Sequence, residues 1–307
     1  MLDRRKKPIN ESDSYMFGNK KKNQDLAVRQ EIEEALREDP TQLEKDAGPL
    51  GRAFIGAVDK AVQMQTSTIR TYVNWLRRQN PEATPAEIQN LMDEHLKNTV
   101  TGTGAGVGAA AAVPGIGLFS GAAAVAGESV LFLDLAAFYT VASAYLRGED
   151  IEDPERRRAL VLSLLMGAKG LAIVDAMLGD DAGKIPGKST LTKFSGPTLS
   201  NTNNVLQRIA MRSMRKSQRR AWLGKLMPLG IGAVAGTTAN RKLADGVIDN
   251  VQSGLGAVPA GFATPLPEKD NDGDTDEDGK GLSLNQKDFA AWILRQFKDE
   301  DKDGDNN

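Results

Sequence analysis

Residues 98–146 read NTVTGTGAGVGAAAAVPGIGLFSGAAAVAGESVLFLDLAAFYTVASAYL and hold only two charges, Glu128 and Asp134, in a 307-residue chain that is 26% charged. Residues 98–127 hold none, and they are built from Gly and Ala rather than Leu and Ile. A helix in water normally keeps a polar face, so a segment of this composition has to be covered on all sides by protein, by lipid or by both. A membrane-associated helical protein is therefore the leading reading.

Helical signals continue on both sides. Upstream, Thr84, Pro85 and Glu87 form a capping box that opens a helix bearing Ile88, Leu91, Met92 and Leu96. Before it, Pro49 to Gln79 sets Leu50, Phe54, Val58, Val62, Ile69, Tyr72 or Val73, and Leu76 along one face, the pattern of a single long amphipathic helix with proline at its start. DLAVRQEIEEALRE, from Asp25, is a short helix stopped before Pro40. Downstream, a turn at GEDIEDPE leads into one helix over ERRRALVLSLLMGAKGLAIVDAML, with Pro154 in its first turn. Residues 179–200 are rich in Gly, Pro, Ser and Thr and predict a long loop. A basic helix from about Thr202 to Arg220 follows, then a second small-residue segment interrupted by Pro228. No stretch alternates apolar and polar residues, so the fold predicted is all-α: a helical bundle with a Gly/Ala-rich hydrophobic hairpin turning at VPGIG, residues 113–117.

Charge divides the chain into three parts. Residues 1–24 predict a disordered basic arm, because Arg4, Arg5, Lys6, Lys7, Lys20, Lys21 and Lys22 sit among polar residues without periodicity. Residues 25–260 form the helical domain. Residues 261–307 are an acidic tail with a short amphipathic helix: from Glu268 onward 13 acids face 6 bases, so a mildly basic body hides behind a net charge of −2. No cysteine is present, which removes disulfides, thiolate metal sites and a thiol nucleophile. The N-terminal basic residues are followed by no apolar run, so cytoplasmic residence is expected.

A plain spanning helix over 128–146 is disfavoured by magnitude. Eight strongly apolar residues there contribute about −4 kcal/mol in sum, whereas two central acids cost about 2.5 to 3.5 kcal/mol each. The uncharged run Pro228 to Asn240 reaches only about 20 Å as a helix against a hydrocarbon core of about 30 Å. A hairpin that packs on other helices and dips into or lies on a bilayer fits better. Its glycines have a use: Gly102 and Gly106, Gly104 and Gly108, and Gly232 and Gly236 are each four apart, which flattens one helix face for close approach. A Gly-rich loop is the alternative for 101–108, since so many glycines weaken a helix. TGTGAGVG also resembles a nucleotide-binding glycine loop, but no strand precedes it.

The run AGVGAAAAVPGIGLFSGAAAVAGESVLFLDLAAFYTVASAYLRGEDIEDPERRRALVLSLL, followed at a distance by PLGIGAVAGTTANRKLADGVIDN, resembles the EcsC protein family. The likeness rests on the Gly-rich entry, the apolar helix, the element Asp153, Pro154, Glu155, Arg156, and the terminal element Gly232, Ala233, Val234, Gly236 and Asn240, and it covers roughly Pro49 to Gln252. What the resemblance implies is a helical, membrane-associated bacterial protein, often linked to transport or secretion. The loop at 179–200 and the tail depart from that pattern.

Chemistry has few footholds. Glu128 and Asp134 are six apart, about 120° around a helix, so they do not aim at one spot. Each reads as a buried polar anchor, as does Asn240, with Arg156 to Arg158 or a helix end as partner. His95 lies between charged neighbours and reads as a solvated surface residue. No Ser-His-Asp set, HExxH or P-loop exists, and no cofactor is expected. Arg212, Arg215, Lys216, Arg219 and Arg220 gather in nine residues before an apolar segment, the pattern of contact with anionic lipid headgroups. Nucleic acid would attract the same charges, but Trp222 is the only aromatic nearby, so none is expected. In the tail, Asp274, Asp276, Asp278 and Gly279 open like a calcium loop, although Asn285 stands where a bidentate Glu belongs. A helix near Trp292, with Phe289, Ile293 and Phe297 on one side, is expected to fold by docking, either back onto the body or into a groove on a protein partner. A non-catalytic accessory or scaffold role is the reading adopted. The alternatives are a soluble helical enzyme with a buried carboxylate site and a pore-forming membrane-active effector.

Overall fold

A computed structural model describes residues 23, 26–64, 66–111, 117–178, 197–224 and 232–267, and every regular element among them is a helix. The fold is all-α. The helices are α1 (26–37), α2 (Pro40–Gln63), α3 (Thr66–Gln79), α4 (Pro85–Ala111), α5 (Gly117–Leu146), α6 (Pro154–Leu165), α7 (Ala168–Leu178), α8 (Pro197–Gly224) and α9 (Gly232–Leu255). The basic arm, the residues 112–116 at the proposed hairpin turn, 179–196, 225–231 and the tail from 268 lie outside the described residues.

α5 is the axis of the bundle because it has no polar face to turn outward. Residues 134–144 are buried on every side, Leu135, Phe138, Val141 and Ala144 among them, and α2, α3, α4, α6 and α9 pack around the helix. α9 runs antiparallel to α4: Lys97 pairs with Asp245 at 2.8 Å, and the Gln252 amide donates to Asp93 at 2.7 Å, so positions rise along one helix as they fall along the other. α8 lies on α2 and α6.

Local chemistry fixes the helix ends. Asp39 caps α2 by accepting from Thr41 N–H at 2.8 Å, Asp153 caps α6 through Glu155 N–H at 2.9 Å, and both helices start on proline. The Thr84–Glu87 capping box read from the sequence is present: Glu87 accepts from Thr84 N–H at 2.7 Å, and Thr84 Oγ1 accepts from Glu87 N–H at 3.3 Å. α5 ends where Gly148 adopts φ +78° and Glu149 N–H reaches back to Ala144 C=O at 3.0 Å, a close that L side chains resist.

Four boundaries differ from the sequence reading. The helix expected over 49–79 is two: α2 begins at Pro40, bends at Gly48 (φ 65°) and stops at Gln63, and Met64 is extended before α3 begins. The stop is enforced from afar, since the Arg157 guanidinium takes the Val62 carbonyl and, at 2.9 Å, the Thr66 hydroxyl, straddling the break. The helix expected over 155–178 is broken at Gly167, whose φ of +63° and contact with the Asn250 side chain leave no room for a Cβ. The end of the expected loop, 197–200, is already helical because Pro197 starts α8. Finally, 261–267 belongs to the body: Arg77 donates to Thr264 C=O at 2.9 Å and lies 4.0 Å from the centroid of the Phe262 ring.

Candidate functional site

The densest polar chemistry among the described residues lies where α4, α5 and α9 meet. Tyr139 and Ser143 on α5 and Arg147 just past its end are each four apart and line one side; Gln89 and Asp93 face them from α4, and Gln252 from α9. The Asp93 carboxylate accepts from Tyr139 Oη at 2.6 Å, Gln89 Nε2 at 2.8 Å and Gln252 Nε2 at 2.7 Å. Arg147 is 1% exposed, and its guanidinium donates to Gln89 Oε1 at 2.6 Å, Ser143 C=O at 3.0 Å and Gly256 C=O at 3.2 Å. The charges of Asp93 and Arg147 thus meet through one glutamine. Burial pulls the Arg147 guanidinium below its ordinary range, opposed by Tyr139, Asp93 and Glu149, and pushes the Tyr139 phenol well up, with Asp93 adding to the rise.

Tyr72, Trp75 and His95 extend this centre between α3 and α4. His95 is 8% exposed and its Nδ1 lies 3.2 Å from Tyr72 Oη, which corrects the expectation of a solvated histidine. The reason is rotation: His95 sits on the inner side of α4 with Met92 and Leu96, and its charged neighbour Glu94 points outward. Burial pulls the imidazole pKa down, and Glu94 only partly opposes it. The cavity beside Tyr72, His95, Thr99 and Tyr139 amounts to about 20 Å³, mostly apolar. That is room for one water and no substrate. With donors from Gln89, Tyr139 and Gln252 converging on the Asp93 carboxylate, this centre ties α4, α5 and α9 together.

The structure places the predicted site residues as follows. Asp134 is buried and pairs with Lys60 on α2, at 3.5 Å. The three arginines are committed elsewhere: Arg156 to Asp150 at 3.3 Å, Arg158 to Asp59 at 2.7 Å, and Arg157 to the Ile151 carbonyl at 2.6 Å and its bridge across the α2–α3 break. Burial lowers the pKa of Arg157, offset in part by Glu152 and Asp153. Arg212 and Arg215 on α8 face α1 and α2. Arg212 pairs with Glu34 and lies 3.3 Å from Glu38, and Arg215 meets Glu38 at 3.1 Å and Asp46 at 3.4 Å, so both charges are held within the molecule. Lys216, Arg219 and Arg220 continue α8, Gly102, Gly104, Gly106 and Gly108 lie on α4, Glu128 on α5, and Gly232, Gly236 and Asn240 on α9; their side-chain surroundings are outside the described residues. So are Asp274, Asp276, Asp278 and the Trp292 segment. Among the described residues no carboxylate or histidine cluster could hold a metal ion, and no helix is long and apolar enough to cross a membrane.

The Gln89–Asp93–Tyr139–Arg147 centre was missed from the sequence, although a signal existed: Tyr139, Ser143 and Arg147 recur every four residues in an otherwise apolar helix, a polar stripe that a bundle core has to satisfy. No family model matches the chain, and no curated protein and no solved structure matches it either.

Proposed function

We propose that this is a membrane-associated helical protein of the EcsC type, with a non-catalytic accessory or scaffold role in transport or secretion at the cytoplasmic face of a membrane. The observation that carries the reading is the composition of two helical stretches that adjoin the packed core. In α4 up to Thr101, and in α5 from Phe132, side chains interlock in the polar centre and the apolar core. The remaining parts, 102–111 and 117–131, hold one charge, Glu128, in 25 residues. Small residues give a helix little to hold it to water or to a core, and suit close packing of helix on helix at a bilayer surface. The α4–α9 register supports the same reading: carried on at helical rise from the Lys97–Asp245 and Asp93–Gln252 pairs, it brings Gly104 level with positions 238–241 and Gly108 with 234–237, the stretch that holds Gly236 and Asn240.

The basic end of α8 supplies attraction to an anionic leaflet. Because Arg212 and Arg215 are already paired with Glu34, Glu38 and Asp46, the headgroup contact falls on Lys216, Arg219 and Arg220, at about 1 kcal/mol each near the surface. Flotation of the full chain with vesicles containing phosphatidylserine tests the proposal. Binding that persists in part at high salt is expected, since the apolar contribution is not screened. Recovery of all protein in the vesicle-free fraction at low salt contradicts it.

A further inference from the structure

We infer that the groove at the α3–α4 corner is the docking site of this chain's own segment 284–298, a surface separate from the membrane-facing one proposed above. The groove has a volume of about 440 Å³, and Glu87, Asn90, Leu91 and Glu94 line it at helical spacing along one side of α4, with Asn80 and Glu82 closing one end. That side of α4 is turned away from α5 and α9. Leu91 is half-buried at the centre of a surface that no other described element covers, and the rim carries Glu82, Glu87 and Glu94, all exposed. Glu87 is held in its ionised form by the Thr84 N–H and hydroxyl, which lower its pKa.

Three observations select the occupant. First, the route: residues 256–267 are strapped to the body by Arg147 at Gly256, Arg77 at Thr264 and Arg78 at Pro267, the last at 3.4 Å. Pro267 is therefore delivered beside Arg78, two positions before Asn80 at the groove's end. Second, reach: residues 268–283 span about 22 Å as a flexible chain, whereas Glu87 to Glu94 covers about 10 Å. At that tether length the effective concentration is about 1 mM, so an intrinsic Kd tighter than about 1 mM keeps the site occupied. Third, complementarity: 284–298 carries Lys287, Arg295 and Lys298 against Asp288, net positive inside an acidic tail, and its stripe of Phe289, Trp292, Ile293 and Phe297 needs an apolar cover to hold a helix that is marginal alone.

The absence of cysteine makes the test direct. Nitroxide labels are placed at Gln79→Cys, exposed beside the groove, and Ala291→Cys, opposite the aromatic stripe, and pulsed electron resonance gives the distance between them in the full chain without lipid. One narrow distribution is expected, unchanged when labelled chain is diluted with unlabelled. Trp292→Ser, which leaves the body intact, and Leu91→Glu should each broaden it at least twofold. A broad distribution in the parent, or a narrow one that neither variant alters, overturns the inference. Loss of the short distance on dilution also overturns it, assigning the groove to a second copy.

Discussion

Arg147 at the end of α5 and Arg212 on α8 both reach across to neighbouring helices, but into different surroundings. Arg147 is 1% exposed and is met by one amide oxygen and two backbone carbonyls, with Asp93 one residue further away. Arg212 keeps a 12% exposed side chain at the edge of a charged face, where it meets Glu34 and Glu38, and Arg215 meets Glu38 and Asp46. In the first setting no water can replace a lost partner, so each group is needed to fix the register of α4, α5 and α9. In the second, Glu34, Glu38 and Asp46 keep 59%, 27% and 35% of their side chains exposed, so water can take up a carboxylate that loses its cation and the loss of one pair costs less.

The comparison breaks or sharpens under substitution. Arg147→Met should cost roughly 3 kcal/mol of unfolding free energy by denaturant titration, because it strands the Gln89 amide oxygen in the core. Tyr139→Phe removes one donor from Asp93 while Gln89 and Gln252 stay, so about 1.5 kcal/mol is expected from the same titration.

A pH series probes the same centre more gently. His95 is the only histidine, and its folded pKa lies below its unfolded value because burial disfavours the charged ring. The unfolded chain therefore binds the proton more readily: the contribution is fully present above about pH 6.5 and is lost as pH falls below it, by at most about 1.4 kcal/mol per pH unit. Thermal melts between pH 7 and pH 5 should show this decline, and His95→Gln should flatten it. The smallest effect belongs to the outer face, where Arg212→Ala should cost under about 1 kcal/mol and lose even that in high salt. A loss comparable to that of Arg147→Met would erase the distinction between the two regions.

Much of the helical layout was legible because its signals are local: the Thr84–Glu87 box, the proline at 154 and the prevailing apolarity of α5 each act within a turn or two. The breaks after Gln63 and at Gly167 were not, since the first depends on Arg157 arriving from a distant helix and the second on the side chain of Asn250. His95 was misjudged for a related reason. Its flanking Glu94 advertises a polar surface, while the residues that decide its burial, Tyr72 and Phe138, come from α3 and α5. Pairing choices such as Lys60 with Asp134 likewise need the three-dimensional arrangement, because any of several cations could have filled that place.

Membrane contact by the small-residue parts of α4 and α5 is the central claim, and an environment-sensitive fluorophore reads it directly in this cysteine-free chain. One label goes to Ala124→Cys, in the uncharged part of α5, and a control to Gly56→Cys on the exposed side of α2, where an added side chain meets nothing. On adding anionic vesicles, the emission of the first should shift to the blue and be quenched by lipid-borne quenchers, while the second stays as in water. An Ala124 label that remains in an aqueous environment at saturating vesicle concentration, indistinguishable from the control, would contradict the account.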